Sequence, residues 1–365
     1  MSIEVLVYRH PDEFPEDVAE LFAQGECDSI SFGSGWFRNL IQTVMQPSDV
    51  VLFYVMRRDA RAVAALPVIV KRGWLPLHHA VESLGNYYTA LYAPLIDPRL
   101  DASGLAPLIR AVKRAHSPLA SLRLQPMDPG SRTYQVLLPA LRLAGLIPFE
   151  FYCFGNSFLS APKDWAAFLA ARNSKMRSNM KRMEKKLAQA GGSVEIIVDR
   201  QDRERAIEAY ERVYAASWKP QEPYPHFMAG LITQATEGGW LRLGIVWLEA
   251  KPIAAQVWIV ANGKADIYKV AYDEAFKDYS PGTVLTARLM QHVIEQDGVS
   301  EVDYLIGDDA YKKSWMSDRR ERWGVVAYNP TTVGGALGAL REGLGRLLKR
   351  IWLLLKVIRE KPSPP

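Results

Sequence analysis

A run of reactive side chains stands at Tyr304-Leu305-Ile306-Gly307-Asp308-Asp309-Ala310-Tyr311-Lys312-Lys313-Ser314-Trp315. An apolar, strand-like stretch ends at Gly307. Two carboxylates, a phenol, two ammonium groups and an indole follow it. At the end of a strand such groups bind and orient a polar substrate. A carboxylate there also takes a proton from an attacking amine or hydroxyl when its pKa lies near the working pH. The same letters suit a solvated Asp-Asp turn leading into a helix.

A second segment reads Tyr268-Lys269-Val270-Ala271-Tyr272-Asp273-Glu274-Ala275-Phe276-Lys277-Asp278-Tyr279-Ser280-Pro281-Gly282-Thr283. Ser280 fits a helix N-cap and Pro281 the first helical position. Gly282 leaves the backbone approachable. The unpaired amides and the dipole of such an end attract anions, so a pyrophosphate fits on Gly282, Thr283 and Val284. An ordinary helix start reads the same way.

Two basic segments accompany these. Over 172–186, Arg172, Lys175, Arg177, Lys181, Arg182, Lys185 and Lys186 face only Glu184, on a helix that buries Met176, Met180 and Met183. This is a solvated face or a landing surface for phosphates. In the tail, Leu337, Leu340, Leu344, Leu347, Ile351, Leu354 and Ile358 alternate steps of three and four, widened by Leu348, Trp352 and Leu355. Arg341, Arg346, Lys349, Arg350, Lys356, Arg359 and Lys361 surround this stripe. Such a helix over 337–359 lies on an anionic membrane, packs on the protein, or pairs with a second copy.

Composition bounds the alternatives. The chain has 365 residues, 48% of them hydrophobic and 23% charged, a length and balance that suit two globular domains. The net charge of +5 suits a phosphate-bearing partner without requiring one. Cys27 and Cys153 lack CxxC neighbours, which argues against zinc sites and a disulfide framework. His10, His78, His79, His116, His226 and His292 show no metal-ligand spacing, so no metal is expected. His226 falls in a predicted loop near Trp218. The start, Met1-Ser2-Ile3-Glu4-Val5, is not a signal peptide. No apolar run reaches the roughly 20 residues of a membrane span. The expected location is cytoplasmic, with peripheral contact to the inner membrane face through 337–359.

Stepping outward to the elements, 50–57 and 63–70 read as a hairpin around Asp59-Ala60-Arg61. A second hairpin, 241–248 and 253–260, turns at Glu249-Ala250-Lys251. The two align at a constant offset, Val63-Ala64-Ala65 with Ile253-Ala254-Ala255. Each is followed by strand, helix and strand: 90–96, 102–115 and 122–124 in the first half, 265–272, 281–296 and 301–306 in the second. This predicts an internal duplication: two mixed α/β domains over 1–154 and 155–330, then a helical tail over 331–365.

The basic run RNSKMRSNMKRMEKK, the hairpin KPIAAQVWIV and the runs YDEAFKDYSPG and GDDAYKKSW, in that order along the chain, resemble the FemAB-like, BioF2/CelD-type GNAT acyltransferases. The resemblance covers about 155–325. The first half is similar to a degenerate copy, including Leu84-Gly85-Asn86-Tyr87-Tyr88. It implies tandem GNAT-like domains plus the C-terminal helix. It also implies transfer of an acyl group from acyl-CoA, acetyl-CoA first, to an amine or hydroxyl of a cell-envelope or polysaccharide precursor. Relatives that build peptidoglycan bridges use aminoacyl-tRNA and carry a helical-hairpin insertion that this chain lacks. Where many GNAT domains carry Gln/Arg-x-x-Gly-x-Gly/Ala, this chain has one glycine, Gly282. On this reading Asp308, or Asp309, deprotonates the acceptor, and Tyr268 or Tyr311 orients or protonates the leaving group. Lys269, Tyr272, Asp309, Lys312 and Trp315 hold substrate, while Ser280, Pro281, Gly282, Thr283 and Val284 hold the coenzyme. Two alternatives stand: an aminoacyl-tRNA-dependent ligase, which alone would bring in nucleic acid, and a non-catalytic subunit of a polysaccharide synthesis or export complex.

Overall fold

The computed structural model describes residues 2–72 and 79–359, with side chains as far as 352. His78 and Lys361 lie outside them, as do the side chains of Arg72, Leu354, Leu355, Lys356, Ile358 and Arg359. In chain order the elements are β1 (Ile3–Tyr8), α1 (Glu16–Glu26), α2 (Ser34–Thr43), β2 (Val50–Arg58), β3 (Arg61–Arg72), β4 (His79–Ser83), β5 (Leu95–Ile96), α3 (Ala102–Ala115), β6 (Leu119–Met127), α4 (Arg132–Leu143) and β7 (Ile147–Ser160). They continue with α5 (Trp165–Ala170), α6 (Ser174–Gln189), β8 (Ser193–Ile197), α7 (Arg203–Ala215), α8 (Pro225–Glu237), β9 (Leu241–Leu248), β10 (Lys251–Ala261), β11 (Lys264–Tyr272), α9 (Pro281–Glu295), β12 (Glu301–Asp303), α10 (Ala310–Trp315), β13 (Asp318–Tyr328) and α11 (Val333–Arg359).

The chain forms two units. Unit 1 is Met1–Phe22, Gln46–Cys153 and Trp323–Pro365, and unit 2 is Ala23–Met45 and Phe154–Arg322. These differ from the contiguous domains expected over 1–154, 155–330 and 331–365. The 23–45 segment belongs to unit 2 because α2 packs on α8: Asn39 Nδ2 donates to the Phe227 carbonyl at 3.1 Å and Trp36 meets the Phe227 ring edge-on at 5.4 Å. The tail belongs to unit 1 because Gly338 of α11 lies against the Tyr328 ring, which leaves no room for a Cβ.

In unit 1 the strands run β1-β2-β3-β4-β6 and on to the C-terminal part of β13, with β4 and β6 parallel and β5 beside β3. In unit 2 the strands run β8-β9-β10-β11-β12 and on to the end of β7, with β11 and β12 parallel. The continuous apolar run of β10 and the alternating apolar residues of β11 bury Trp258, Ala265 and Ile267 against α9, whose Val284, Leu285, Leu289 and Val293 recur at helical spacing. Gly244 on β9 permits this approach, since a Cβ there would lie 2.7 Å from Leu285 Cδ1.

The duplication extends to details that the letters alone do not give. Both hairpins turn on two residues with positive φ, Asp59 (50°) and Ala60 (65°) in one, Glu249 (50°) and Ala250 (63°) in the other. Each second strand carries one unmatched residue, Val63 between the Arg57–Ala62 and Met56–Ala64 pairs and Ile253 between the Trp247–Pro252 and Val246–Ala254 pairs. The freed carbonyls accept corresponding amides, Asp97 to Val63 and Asp273 to Ile253, both at 2.8 Å.

The strand expected over 90–96 is corrected. What is one strand in unit 2 is two pieces in unit 1. β4 pairs Val81 with Val70 as Ala265 pairs with Val260, and β5 pairs Leu95 with Ala65 as Ala271 pairs with Ala255. The residues between β4 and β5 interrupt the strand, so only Leu95–Ile96 pairs. His226, expected in a loop, is an exposed residue in the first turn of α8.

Candidate active site

The site starts from a parting of parallel strands. β11 and β12 pair through Lys264–Glu301, Ala265–Val302 and Asp266–Asp303. Past Asp303 the chain stays with β7, where the Tyr304 amide donates to Ser157 O at 3.0 Å and Gly307 bridges Asn156. β11 instead stays with β10 as far as Tyr272–Ala254. The strands therefore diverge, leaving an edge of β11 without a β12 partner.

A bulge arranges the side chains there. Trp258 opposes Ile267 and Val257 opposes Lys269, so Tyr268 is the extra residue. Directly opposed residues share a face and neighbours on a strand do not. The bulge thus turns Lys269 away from the α9 side, where Ile267 lies. There Lys269 pairs with Glu222 at 2.8 Å, both side chains 9% exposed, with its Nζ 5.8 Å from the Tyr214 ring. Lys219 joins this group, with Nζ 5.9 Å from the Tyr214 ring and 5.7 Å from that of Trp218. Burial, then the charges of Lys269 and Lys312, lower the Lys219 pKa to about 8, against the pull of Glu222. Trp218 also meets Tyr272 at 4.6 Å, and Tyr268 meets Trp36 edge-on at 6.2 Å.

A buried polar network fixes the start of α9. Trp258 Nε1 donates to Gln256 Oε1 at 2.9 Å, and Gln256 Nε2 donates to Thr286 Oγ1 at 2.8 Å and to Gly282 O at 3.1 Å. Thr286 Oγ1 also donates to Gly282 O. Tyr304, 5% exposed, has its phenol pKa raised by burial and by Tyr311, while a hydrogen bond with Thr286 opposes the shift. Ser280 precedes α9 as expected, but in a left-handed conformation (φ 46°) with no side-chain capping bond, because it joins a 3-10 turn over Glu274–Tyr279 to the helix. The Thr283 and Val284 amides both donate to Ser280 O, at 3.0 and 3.2 Å. Two of the three amides expected to be free are therefore engaged, and the Val284 side chain is core. Gly282, after Pro281, remains the approachable position. Lys186 reaches this end, its Nζ 2.9 Å from Asp278 O and 5.1 Å from the Tyr279 ring centre.

The 304–315 run divides by role. Asp308 pairs with Arg319 at 2.7 Å, and that hydrogen bond holds its carboxyl below the usual range, which weakens it as a base near neutral pH. Lys312 is 6% exposed, and its ammonium points to the carbonyls of Tyr304 (3.4 Å), Ile306 (2.5 Å) and Gly307 (3.3 Å). With three donors so engaged, it holds the turn rather than substrate. Trp315 is core, stacked near Phe168 at 6.3 Å, and not a substrate platform. Asp309 is exposed. Tyr311 is half-exposed, and its pKa is raised to about 12 by burial and by Asp309, so the phenol keeps its proton. Arg172 leaves the basic surface expected of 172–186: it is 9% exposed, over the Phe168 ring at 4.6 Å. Lys175, Arg177, Lys181, Arg182, Lys185 and Lys186 are exposed on α6.

Sequence reading missed Lys219, Glu222, Gln256 and Thr286, and the Asp303–Asn156–Arg320 group beside the turn. Asn156 Nδ2 donates to Asp303 Oδ1 and to Leu305 O, and Arg320 binds Glu301, Asp303 and Asn156. A signal existed for Gln256, a lone amide in the apolar run KPIAAQVWIV. A groove of about 560 Å³ lies elsewhere, among Leu187, Val194, Val284, Arg288 and His292. It lacks the Lys219–Glu222–Lys269 group and the diverging strand edge, so the strand parting is the better candidate.

Residues 174–313 match the family described as an acetyltransferase (GNAT) domain. The chain therefore carries a GNAT domain over these residues. Among solved structures it is similar to FemX, with 13% identity and a TM-score of 0.58 over 85% of this chain and 94% of that one. It is also similar to the C-terminal domain (DUF2156) of a protein assigned as a lysylphosphatidylglycerol synthetase from Agrobacterium fabrum, with 14% identity and a TM-score of 0.53 over 90% of this chain and 96% of that one. No curated protein matches the sequence. The fold is mixed α/β, with tandem GNAT-like halves and a C-terminal helix.

Proposed function

We propose that unit 2 transfers an acyl group from an acyl-CoA thioester to an amine or hydroxyl of a cell-envelope or polysaccharide precursor, acetyl-CoA being the first donor to test. The observation that carries this reading is the divergence of β11 from β12. A strand edge without a partner offers amides and carbonyls to an extended chain, which suits the two-amide arm of coenzyme A. Its pyrophosphate would meet Gly282 at the start of α9, with Lys186 nearby.

In the reaction, the acceptor nitrogen or oxygen attacks the thioester carbonyl. The new C–N or C–O bond forms, the C–S bond breaks, and the sulfur leaves with a proton. Lys219 as a neutral amine receives the acceptor's proton, because a base works best with a pKa near the working pH. Tyr311 or Tyr268 supplies the proton to sulfur. Holding the two reactants together contributes much of the rate.

Melting the purified protein with a panel of CoA thioesters tests the donor. A ligand that binds the folded state raises Tm, so one or more acyl-CoAs are expected to do so. The exposed basic face of α6 favours a second reading, an aminoacyl-tRNA donor. Absence of any thioester shift, together with transfer that ribonuclease abolishes, would establish that reading instead.

A further inference from the structure

We propose that α11 docks on an anionic lipid surface through its leucine face. The helix is oriented against the usual expectation. Its inward residues in the first turns are Gly335, Gly338, Ala339, Glu342 and Arg346, all small or polar and all at least partly covered. Gly335 lies against the backbone of Asn329 and Ala120, and Gly338 against Tyr328. Arg346 donates to Glu150 O, stands 5.0 Å from the Phe149 ring and pairs with Glu342. Packing in unit 1 therefore uses the polar side of the helix.

The apolar side faces solvent. Leu337 is 62% exposed, Leu348 65% and Trp352 60%, and Leu340, Leu344, Leu347 and Ile351 are exposed with them. From Leu347 to Trp352 every residue is exposed. An amphipathic helix normally turns this stripe to a core, and an apolar patch of this kind on a surface marks an interaction site.

Charge decides the occupant. Arg341, Lys349 and Arg350 are exposed beside the stripe, and the one acid between Val333 and Trp352, Glu342, is already paired with Arg346. Basic residues flanking an apolar stripe complement phosphate head groups above acyl chains. The same positive rims on a second copy would repel each other. No described helix is long and apolar enough to cross a membrane, so the contact is with the surface.

The test uses the full chain and two vesicle types, phosphatidylcholine alone and phosphatidylcholine containing phosphatidylglycerol. The chain should sediment with the anionic vesicles, and less so as salt rises. Each basic residue near such a surface contributes roughly fivefold in affinity, so Lys349→Glu with Arg350→Glu should weaken binding at least about tenfold. Leu344→Glu with Leu348→Glu should abolish it with Tm unchanged, because both side chains are exposed. Equal sedimentation with neutral vesicles, or none with anionic ones, overturns the proposal. So does a dimer in sedimentation equilibrium that the leucine variant dissociates while vesicle binding persists.

Discussion

Lys219 combines partial burial with the nearby charges of Lys269 and Lys312, and both effects favour its neutral amine. If it takes the acceptor's proton, kcat should rise with pH along a limb centred near 8. Lys219→Met should lower kcat by roughly 100-fold, leave the donor KM unchanged and remove that limb. Lys219→Arg should fail similarly, because a guanidinium does not deprotonate. A Met variant that keeps the limb would eliminate Lys219 as the base. Asp308→Asn is expected to retain most of the rate, since Arg319 keeps that carboxylate ionised and a weak base. The contrast also shows what spacing reveals. Asp308, Tyr311 and Lys312 follow an apolar run, so their placement past a strand end was readable. Lys219 and Glu222 sit in SWKPQEPYP, which has no period to read, and Lys269 reaches them only because a bulge turns it over.

The turn after β12 and the paired ends of β11 and β12 are the elements that hold the site. Leu305 (φ 55°) and Gly307 (φ 90°) are both left-handed, and the Leu305 amide donates to Asp303 Oδ1 at 2.6 Å. A side chain in that region costs roughly 1–2 kcal/mol. Gly307→Ala should therefore lower Tm by a few degrees and reduce turnover, measured by thermal melting and initial rates; an unchanged Tm would mean the turn relaxes freely. Below the turn, burial and the charge of Asp303 raise the Asp266 carboxyl above the usual carboxylate range. Its ordinary pKa is about 4. A raised acid favours folding when protonated, so its stabilising effect is present below about pH 4 and is lost as pH rises through the raised value. Asp266→Asn should melt above the wild type at pH 8, and the advantage should vanish by pH 4. The strands themselves were legible because β10 is a bounded apolar run and β11 alternates apolar residues. β13 was not, since its first half reads DRRER, and neither was the bulge, which exists only in the pairing of two strands.

At the scale of the whole chain, duplication was visible in matching hairpins, and the resemblance placed the working site in the second copy, but the physical reason was not legible. The difference lies in how each unit treats the space after its parallel strand pair. In unit 1 the chain between β4 and β5 occupies it: the Tyr92 amide donates to Pro126 O at 2.7 Å and the Tyr92 hydroxyl to Pro67 O at 2.8 Å. Ser83 Oγ donates to Gln125 O and accepts from the Gln125 amide, tying β4 to β6 where β11 and β12 would part. Tyr88 and Tyr92 are buried there. The run over 90–96 read as a strand, yet only Leu95–Ile96 pairs and Tyr92 serves as filling. A single donor site per chain follows. Calorimetric titration with the thioester that shifts Tm should give one site per chain. Gly282→Val, which adds bulk at the start of α9 in unit 2, should abolish that heat while Tm without ligand stays within a few degrees. A stoichiometry of two, or one site that persists in Gly282→Val, would mean that unit 1 binds the donor after all, with Tyr92 displaced from Pro67 and Pro126.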